Sequence, residues 1–302
     1  MAQAVGVRTS YAAIPAAVRG WVERELGSTV VGAGTQLGGF SPGAAARLVT
    51  ASGRRAFVKA VGPELNPVTP SLFRQEIVVM QAIDPLRLPA VPRLLAAYDD
   101  GHWVALLLED IDGRIAHHPW TRDDADRVLD AVGELTAALT PSPWPDAPVA
   151  GERSREFLAG WERAVADGTE IPDWLDGRQD ELLTLARRGV DAVSVDESLV
   201  HWDIRSDNLL ISDGRVVFVD WAWAGGGASW ADLVIVQADI RGSLELPELP
   251  DDEDITGFLA AVAGGLWWNS RQPAPPGLPT LRAFQLEFAG AALRWLRTRL
   301  GW

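Results

Sequence analysis

Apolar and polar positions follow two different rhythms along this chain, changing near residues 110–114. In the first stretch, Ile14–Leu26 reads as a short amphipathic helix, followed by extended segments at Thr29–Leu37, Ala45–Ala51 and Arg55–Val61. Ser52-Gly53 between the last two is a hairpin signal. Pro67–Pro70 opens a helix over Ser71–Ile83 that puts Phe73, Ile77, Met80 and Ile83 on one stripe. Two further strand-like runs, Arg93–Tyr98 and Trp103–Glu109, flank an Asp100-Gly101 turn.

Beyond that point the period becomes helical. Thr121 with Asp124 three residues on resembles a capping box, and Ala125, Val128, Leu129, Val132, Leu135 and Leu139 recur on one face. Helices are expected near Ser154–Asp167, Trp174–Val190, Trp230–Ile240, Asp254–Trp268 and Thr280–Leu300, with Pro/Gly-rich links at Pro141–Pro148 and Pro273–Pro279. The pattern predicts an α+β protein divided into a sheet-rich unit, residues 1–109, and a helical unit, residues 110–302. One hairpin interrupts the helices. Asn208–Ser212 and Arg215–Asp220 flank Asp213-Gly214, so Ser212 should face Arg215, Asn208 should face Val219, and Asp207 should face Asp220.

Composition narrows the chemistry. With 302 residues and 47% hydrophobic content, the chain can bury a sizeable core. It has no cysteine, which excludes disulfides, Fe–S clusters and thiolate zinc sites. A net charge of −14 makes nucleic acid and anionic membranes poor partners and steers polycationic small molecules inward. No secretory signal pattern opens the chain, and the longest uncharged apolar stretch, Ile255–Ser270, falls short of the ~20 residues a membrane span needs. A cytoplasmic location is expected. Among 27 basic residues there is a single lysine, Lys59. A compact ammonium reaches a point that the bulkier, forked guanidinium does not, so arginine is the wrong cation at some sites.

The segment His201-Trp-Asp203-Ile-Arg-Ser-Asp-Asn208 has the spacing H-x-D-x-x-x-x-N, and Asp220 lies twelve positions past the Asn after an apolar run. Phosphoryl transfer from a nucleotide needs few groups: a carboxylate for the nucleophile's proton, oxygen ligands for Mg²⁺, and a lysine with a glycine-rich loop for the phosphates. Asp203 can be the first, Asn208 and Asp220 the second, and Lys59 with the loop Gly38-Gly39-Phe40-Ser41-Pro42-Gly43 the third. Asp203 could otherwise be a structural loop aspartate, and Glu76 taken alone could be a solvated face residue. The adjacent pair His117-His118 does not converge on one ion and reads as solvated loop.

These motifs together resemble the protein-kinase-like fold, and in particular the aminoglycoside phosphotransferase family of small-molecule kinases. His201–Asn208 and Phe218-Val-Asp220-Trp221 look like that family's catalytic loop and metal-binding segment. Ala56-Phe-Val-Lys59 looks like the strand carrying the phosphate-binding lysine, and Leu106-Leu-Leu-Glu109-Asp-Ile111 like the hinge that reads a nucleotide base through its backbone. The resemblance spans residues 36–232 and implies a bilobal fold with an antiparallel N-lobe sheet. It implies Asp203 as catalytic base, Mg²⁺ held by Asn208 and Asp220, and ATP or GTP held by Lys59, Ser41, Glu109 and Ile111. Glu76 is implied as the partner of Lys59, and His201 as a brace for the catalytic loop. Departures include Trp202 where the family more often has glycine, Trp221-Ala222 in place of Phe-Gly, and a loop at 38–43 without the GxGxxG spacing. Ser229 follows Asp220 by only nine positions, too close for a long activation segment, and no A-P-E follows, so no protein substrate is expected.

The acceptor implied is a small molecule, foremost a cationic, aminoglycoside-like antibiotic. Asp123, Asp124 and Asp126, and Asp251–Asp254, compensate helix dipoles or form an anionic wall; Asp239, Glu245 and Glu248 are better placed for a wall in chain order. Fourteen tryptophans, Trp221, Trp223, Trp230, Trp267 and Trp268 among them, pack in the core or stack on a sugar or quaternary amine. The rivals are a metabolite kinase acting on choline, ethanolamine, homoserine or a sugar, and a nucleotide-binding pseudokinase. The latter would have no need of Lys59, Asp203, Asn208 and Asp220 together.

Overall fold

The alternation of side chains along extended backbone decides where the lysine goes. In a computed structural model that describes residues 7–40, 42–149 and 154–302, β1 (Val30–Thr35), β2 (Ala44–Thr50), β3 (Arg55–Val61), β4 (Leu94–Asp99) and β5 (Val104–Leu108) form one antiparallel sheet in the order β1-β2-β3-β5-β4. Ala56, Val58 and Ala60 of β3 pack with Val18, Val22 and Leu26 of α1 (Ala16–Leu26) on one face of the sheet. Val61 shares the opposite face with Leu106, Leu108 and the Phe73, Val79, Met80 and Ile83 stripe of α2 (Thr69–Ile83). Lys59 has the parity of Val61, so the pleat aims its ammonium at α2. Pro70 in the first turn of α2 suits a position whose N–H has no helical partner. Burying each large apolar side chain of the stripe contributes about 1.5–3 kcal/mol.

The same core runs on into the second half. Helix α3 (Arg122–Ala138) begins where the Thr121 hydroxyl accepts from the Asp124 N–H at 3.3 Å. Its Val128, Val132 and Leu135 join Phe218 and Trp221 in the cluster that also contains Phe73. Strands β8 (Leu209–Ser212) and β9 (Arg215–Phe218) pair as expected, Ser212 with Arg215 and Leu209 with Phe218. Both Asp213 (φ 49°) and Gly214 (φ 77°) take positive φ, as a two-residue hairpin turn requires. The Val219 N–H continues the register to the Asn208 carbonyl at 3.0 Å. The short strand β6 (Arg114–Ile115) adds to β8, and β7 (Ser198–Val200) pairs with β10 (Gly225–Gly227).

A second core holds α4 (Arg155–Leu158), α5 (Gly160–Asp167), α6 (Gln179–Val193), α7 (Ala231–Ile240), α8 (Glu253–Ser270) and α9 (Leu281–Leu300). Two expected helices differ. The helix over 154–167 breaks at Ala159, and Gly160 then approaches α8 so closely that a Cβ would stand 2.2 Å from the Gly264 carbonyl oxygen. The helix expected from Trp174 starts only at Gln179, because a 3-10 turn at Asp173–Leu175 and Gly177 at φ 73° intervene. Among the described residues, no helix is long and apolar enough to cross a membrane.

Backbone contact between α6 and α8 fixes the helical floor. A Cβ on Gly189 would lie 1.9 Å from the Phe258 nitrogen. Gly189→Ala should therefore lower unfolding free energy by about 3 kcal/mol or more, read as a lower urea midpoint; an unchanged midpoint would contradict this approach.

Candidate active site

Three elements converge on Lys59. Its Nζ donates to Glu76 Oε2 at 2.5 Å and to Asp220 Oδ1 at 2.8 Å, and stands 4.9 Å from the Phe73 ring centroid. Burial works against the ammonium, but the charges of Asp220 and Glu76 outweigh it and hold its pKa above the usual lysine value. Glu76 is 1% exposed; burial pushes its pKa up against the pull of Lys59. For Asp220 burial acts in the same direction, but Lys59 overcomes it and the pKa falls below the ordinary carboxylate value. Asp220, two positions past the end of β9, sits at φ 67° with its carboxylate on Lys59.

The segment before the hairpin is fixed by buried polar groups. His201 is fully buried, which depresses its pKa to about 4 and leaves it neutral at pH 7. Its Nδ1 accepts from the Asp203 N–H at 3.3 Å, so Nε2 carries the proton and donates to the Val219 carbonyl at 3.1 Å. His201 therefore ties the loop of Asp203 to the strand end that presents Asp220. Asp232, in the first turn of α7, accepts from the His201 and Trp202 N–H groups at 2.8 and 2.9 Å. Asp239, also on α7, accepts from the Ser206 N–H at 3.0 Å and Trp120 Nε1 at 3.2 Å.

Around Asp203 the side chains interlock. Asn208 Nδ2 donates to the Asp203 carbonyl at 2.9 Å and to Asp203 Oδ2 at 3.0 Å. Arg205 bonds Asp203 Oδ1 through Nη1 and Asp207 Oδ1 through Nε at 2.6 Å, while its guanidinium lies over Phe40 and Phe284. Burial pushes the Asp203 carboxyl up to about 7, against the lowering charge of Arg205. Because Asn208 spends its amide nitrogen on Asp203, its carbonyl oxygen is the atom left to face a cation. The Asp220 carboxylate supplies further hard oxygens, and the set fits Mg²⁺, which takes one or two protein oxygens and completes its shell with water and phosphate. Among the described residues no group of three or more His, Asp or Glu forms a protein-only metal cage.

The cleft between sheet and hairpin is lined by Lys59, Glu76, Asn208 and Asp220, with Gly38 and Gly39 on the loop side and Glu109 and Ile111 at the connection. Apolar Phe57, Met80, Leu108, Ile115 and Leu210 line the same cleft. Asp203 meets this group through Asn208. Glu109 turns its carboxylate toward the Arg93 N–H at 3.3 Å, while the Ile111 carbonyl accepts from Arg47 Nη2 at 2.9 Å. Arg47 and Arg55 also hold Asp110, at 2.6 and 2.7 Å, which ties the connection to the sheet. Ser41 lies outside the described residues.

Several acidic candidates for a wall are otherwise engaged. Asp239 is buried against the Ser206 backbone, and Glu248 bonds Arg241 and Trp295 Nε1, each at 2.9 Å. Asp124 is buried against Arg114 at 2.6 Å, Asp123 pairs with Arg127, and Asp252 caps α8. His117 is not simply solvated either, since its Nδ1 lies 2.7 Å from Asp124 Oδ2. Trp221 is core, donating to the Phe218 carbonyl at 2.9 Å, while Trp267 and Trp268 bond the Glu170 carbonyl and the Asp167 carboxylate. Asp232 and Arg205 escaped the sequence reading, and Asp239 was read as a wall acid instead of a support for the loop of Asp203. The signal for the two aspartates was their spacing, two turns apart in an otherwise apolar helix that buries both.

This arrangement of sheet, helix and buried hairpin is a protein-kinase-like fold. The model of the phosphotransferase enzyme family APH matches residues 38–267, and the chain belongs to that family. Similar solved structures include aminoglycoside phosphotransferase APH(4)-Ia, at 14% identity and TM-score 0.60 over 93% of this chain and 97% of that one. A thermostable mutant of it in complex with ADP and hygromycin B gives 14% and 0.59 over 94% and 97%. The amicoumacin kinase hAmiN, in complex with AMP-PNP, Ca²⁺ and its ligand Ami, gives 13% and 0.54 over 87% and 88%. A Haemophilus somnus protein assigned as a fructosamine-3-kinase gives 12% and 0.56 over 91% and 96%. No curated protein sequence matches the chain.

The balance of burial and charge at Asp203 can be read in the metal-free protein. Its carboxyl carbon should titrate near pH 7 by ¹³C NMR, and Arg205→Met should move that midpoint upward because a charge favouring the carboxylate is lost. A midpoint near 4 in the wild-type chain would contradict the account of this carboxyl.

Proposed function

We propose that the chain transfers the γ-phosphoryl group of a Mg²⁺-bound nucleoside triphosphate, ATP or GTP, to a hydroxyl of a small molecule. The observation that carries this reading is the join of Lys59 to Glu76 and Asp220, with Asn208 tying Asp203 to the same cleft. Lys59 would hold the α- and β-phosphates, positioned by Glu76, while Phe57, Met80, Leu108 and Leu210 sandwich the base. With the Ile111 carbonyl taken by Arg47, base reading at the connection falls to the Glu109 carbonyl and the Ile111 N–H. Asn208 and Asp220 would hold Mg²⁺, which when bound offsets the charge of the β- and γ-phosphates. Asp203 accepts the acceptor's hydroxyl proton as the acceptor oxygen bonds to the γ-phosphorus and the bond to the β-phosphate oxygen breaks. A carboxyl near 7 is matched to that task at neutral pH. The division at residues 109 and 110 would put the nucleotide between the two units.

The acceptor we favour is a cationic antibiotic. A net charge of −14 supports an amine-bearing acceptor, and two of the similar structures hold hygromycin B and Ami. The pairing of Glu248, Asp123 and Asp124 with basic residues removes the support those acids lent, and the similarity to a protein assigned as a fructosamine-3-kinase favours a metabolite kinase as second reading. Such an enzyme would act where no nucleic acid, membrane or protein is the partner, in the cytoplasm.

The test is coupled ADP or GDP release across aminoglycosides, peptide and macrolide antibiotics, choline, ethanolamine, homoserine and sugars. Asp203→Asn should cut turnover by ~10²–10⁴-fold with nucleotide affinity kept within a few-fold. Turnover within threefold of wild type would remove Asp203 from the role of base.

A further inference from the structure

Residues 7–9, which show no hydrophobic period, are docked beside the cleft, with Arg8 in its lining. The Val7 N–H donates to the Gly277 carbonyl at 3.0 Å, in the link between α8 and α9. The Thr9 N–H donates to the Gly43 carbonyl at 3.0 Å, and Arg8 bridges Gly43 in parallel. The strap is thus fastened on one side to the end of the glycine-rich loop and on the other to the helical half.

Arg8 lies between these two fastenings and reaches beneath the loop. Its Nη2 donates to the Gly38 carbonyl, and a Cβ on Gly39, which has φ 86°, would stand 2.9 Å from the same nitrogen. The guanidinium lines the same cleft as Lys59, Asn208 and Asp220, close enough for Asp220 to act on its charge. Two other cations line the cleft, Lys59 shared by Glu76 and Asp220 and Arg47 shared by Asp110 and Asp112, while Arg205 beside it is shared by Asp203 and Asp207. A triphosphate entering beside these carboxylates needs further positive charge, and a guanidinium fork matches phosphate oxygens two at a time.

We propose that Arg8 is a phosphate ligand of this cleft: its guanidinium exchanges the Gly38 carbonyl for the outer phosphates of a bound nucleoside triphosphate, and the strap holds the loop down over them. The inference rests on the nucleotide reading of the site. It assigns to the strap the grip that a loop lacking GxGxxG spacing would otherwise have to supply from its own backbone.

Calorimetric titration of the full chain with Mg²⁺–ATP or Mg²⁺–GTP, whichever the wild type binds, with the matching diphosphate and with the free nucleoside, separates the possibilities. Arg8→Met should weaken the triphosphate at least tenfold, the diphosphate less, and the nucleoside not at all. Arg8→Lys should recover part of the loss. Unchanged triphosphate affinity would overturn the proposal, as would tighter binding, which would make the side chain an obstruction. Equal losses for triphosphate and nucleoside would also overturn it, since they would mark a strap that only supports the fold. A wild-type chain that binds no nucleoside triphosphate would overturn the nucleotide reading itself, whereas normal wild-type binding with an indifferent Arg8→Met overturns this inference alone.

Discussion

A buried ammonium shared by two carboxylates sets the geometry of this protein. Lys59 joins the middle strand of the sheet to α2 through Glu76 and to the end of the β8–β9 hairpin through Asp220. Desolvating these groups is costly, and only close, well-directed contacts offset it; leaving one partner buried alone costs about 3–5 kcal/mol. The constraint therefore reaches outward. It dictates the parity of β3, the rotation of α2 that turns Glu76 inward among Phe73 and Met80, and the left-handed backbone of Asp220.

Helix α7 holds the other half of the cleft by a different means. Asp232 and Asp239 stand two turns apart on one helix and grip the backbone N–H groups of residues 201, 202 and 206. The loop carrying Asp203 has too little secondary structure to fix itself, and these bonds supply what a strand ladder would. Arg205 closes the arrangement by lying between Asp203 and Asp207. The clustered negative charge of Asp203, Asp207, Asp220 and Glu76 is thus held together by one lysine and one arginine.

Much of this was legible in the sequence because it rests on local rules. Hydrophobic period located α2 and the strands, Asp213-Gly214 set the hairpin register, and the family resemblance implied the Lys59–Glu76 pair. What escaped depends on contacts between distant segments. Asp239 looked like a surface acid in chain order but is buried 33 positions from the N–H it serves. The break at Ala159 answers to the backbone of α8 more than a hundred residues later, and no pattern around residues 7–9 announced a strap anchored at Gly277. The acid-rich helix starts were ambiguous for another reason: acids at an N-terminus have the same sequence whether they face arginines of this chain or an acceptor's amines.

The central claim is that the ammonium of Lys59, not merely a positive charge, organises the cleft for phosphoryl transfer. It is tested most directly in Lys59→Arg, by measuring nucleoside diphosphate release with the full acceptor panel after circular dichroism has established an intact fold. A guanidinium is too broad to sit 2.5 Å from Glu76 and 2.8 Å from Asp220 in the same space. The account predicts a folded chain whose turnover drops by about 10²-fold or more. Turnover close to wild type in a chain with 26 other arginines would show that any cation serves at position 59, and would contradict it.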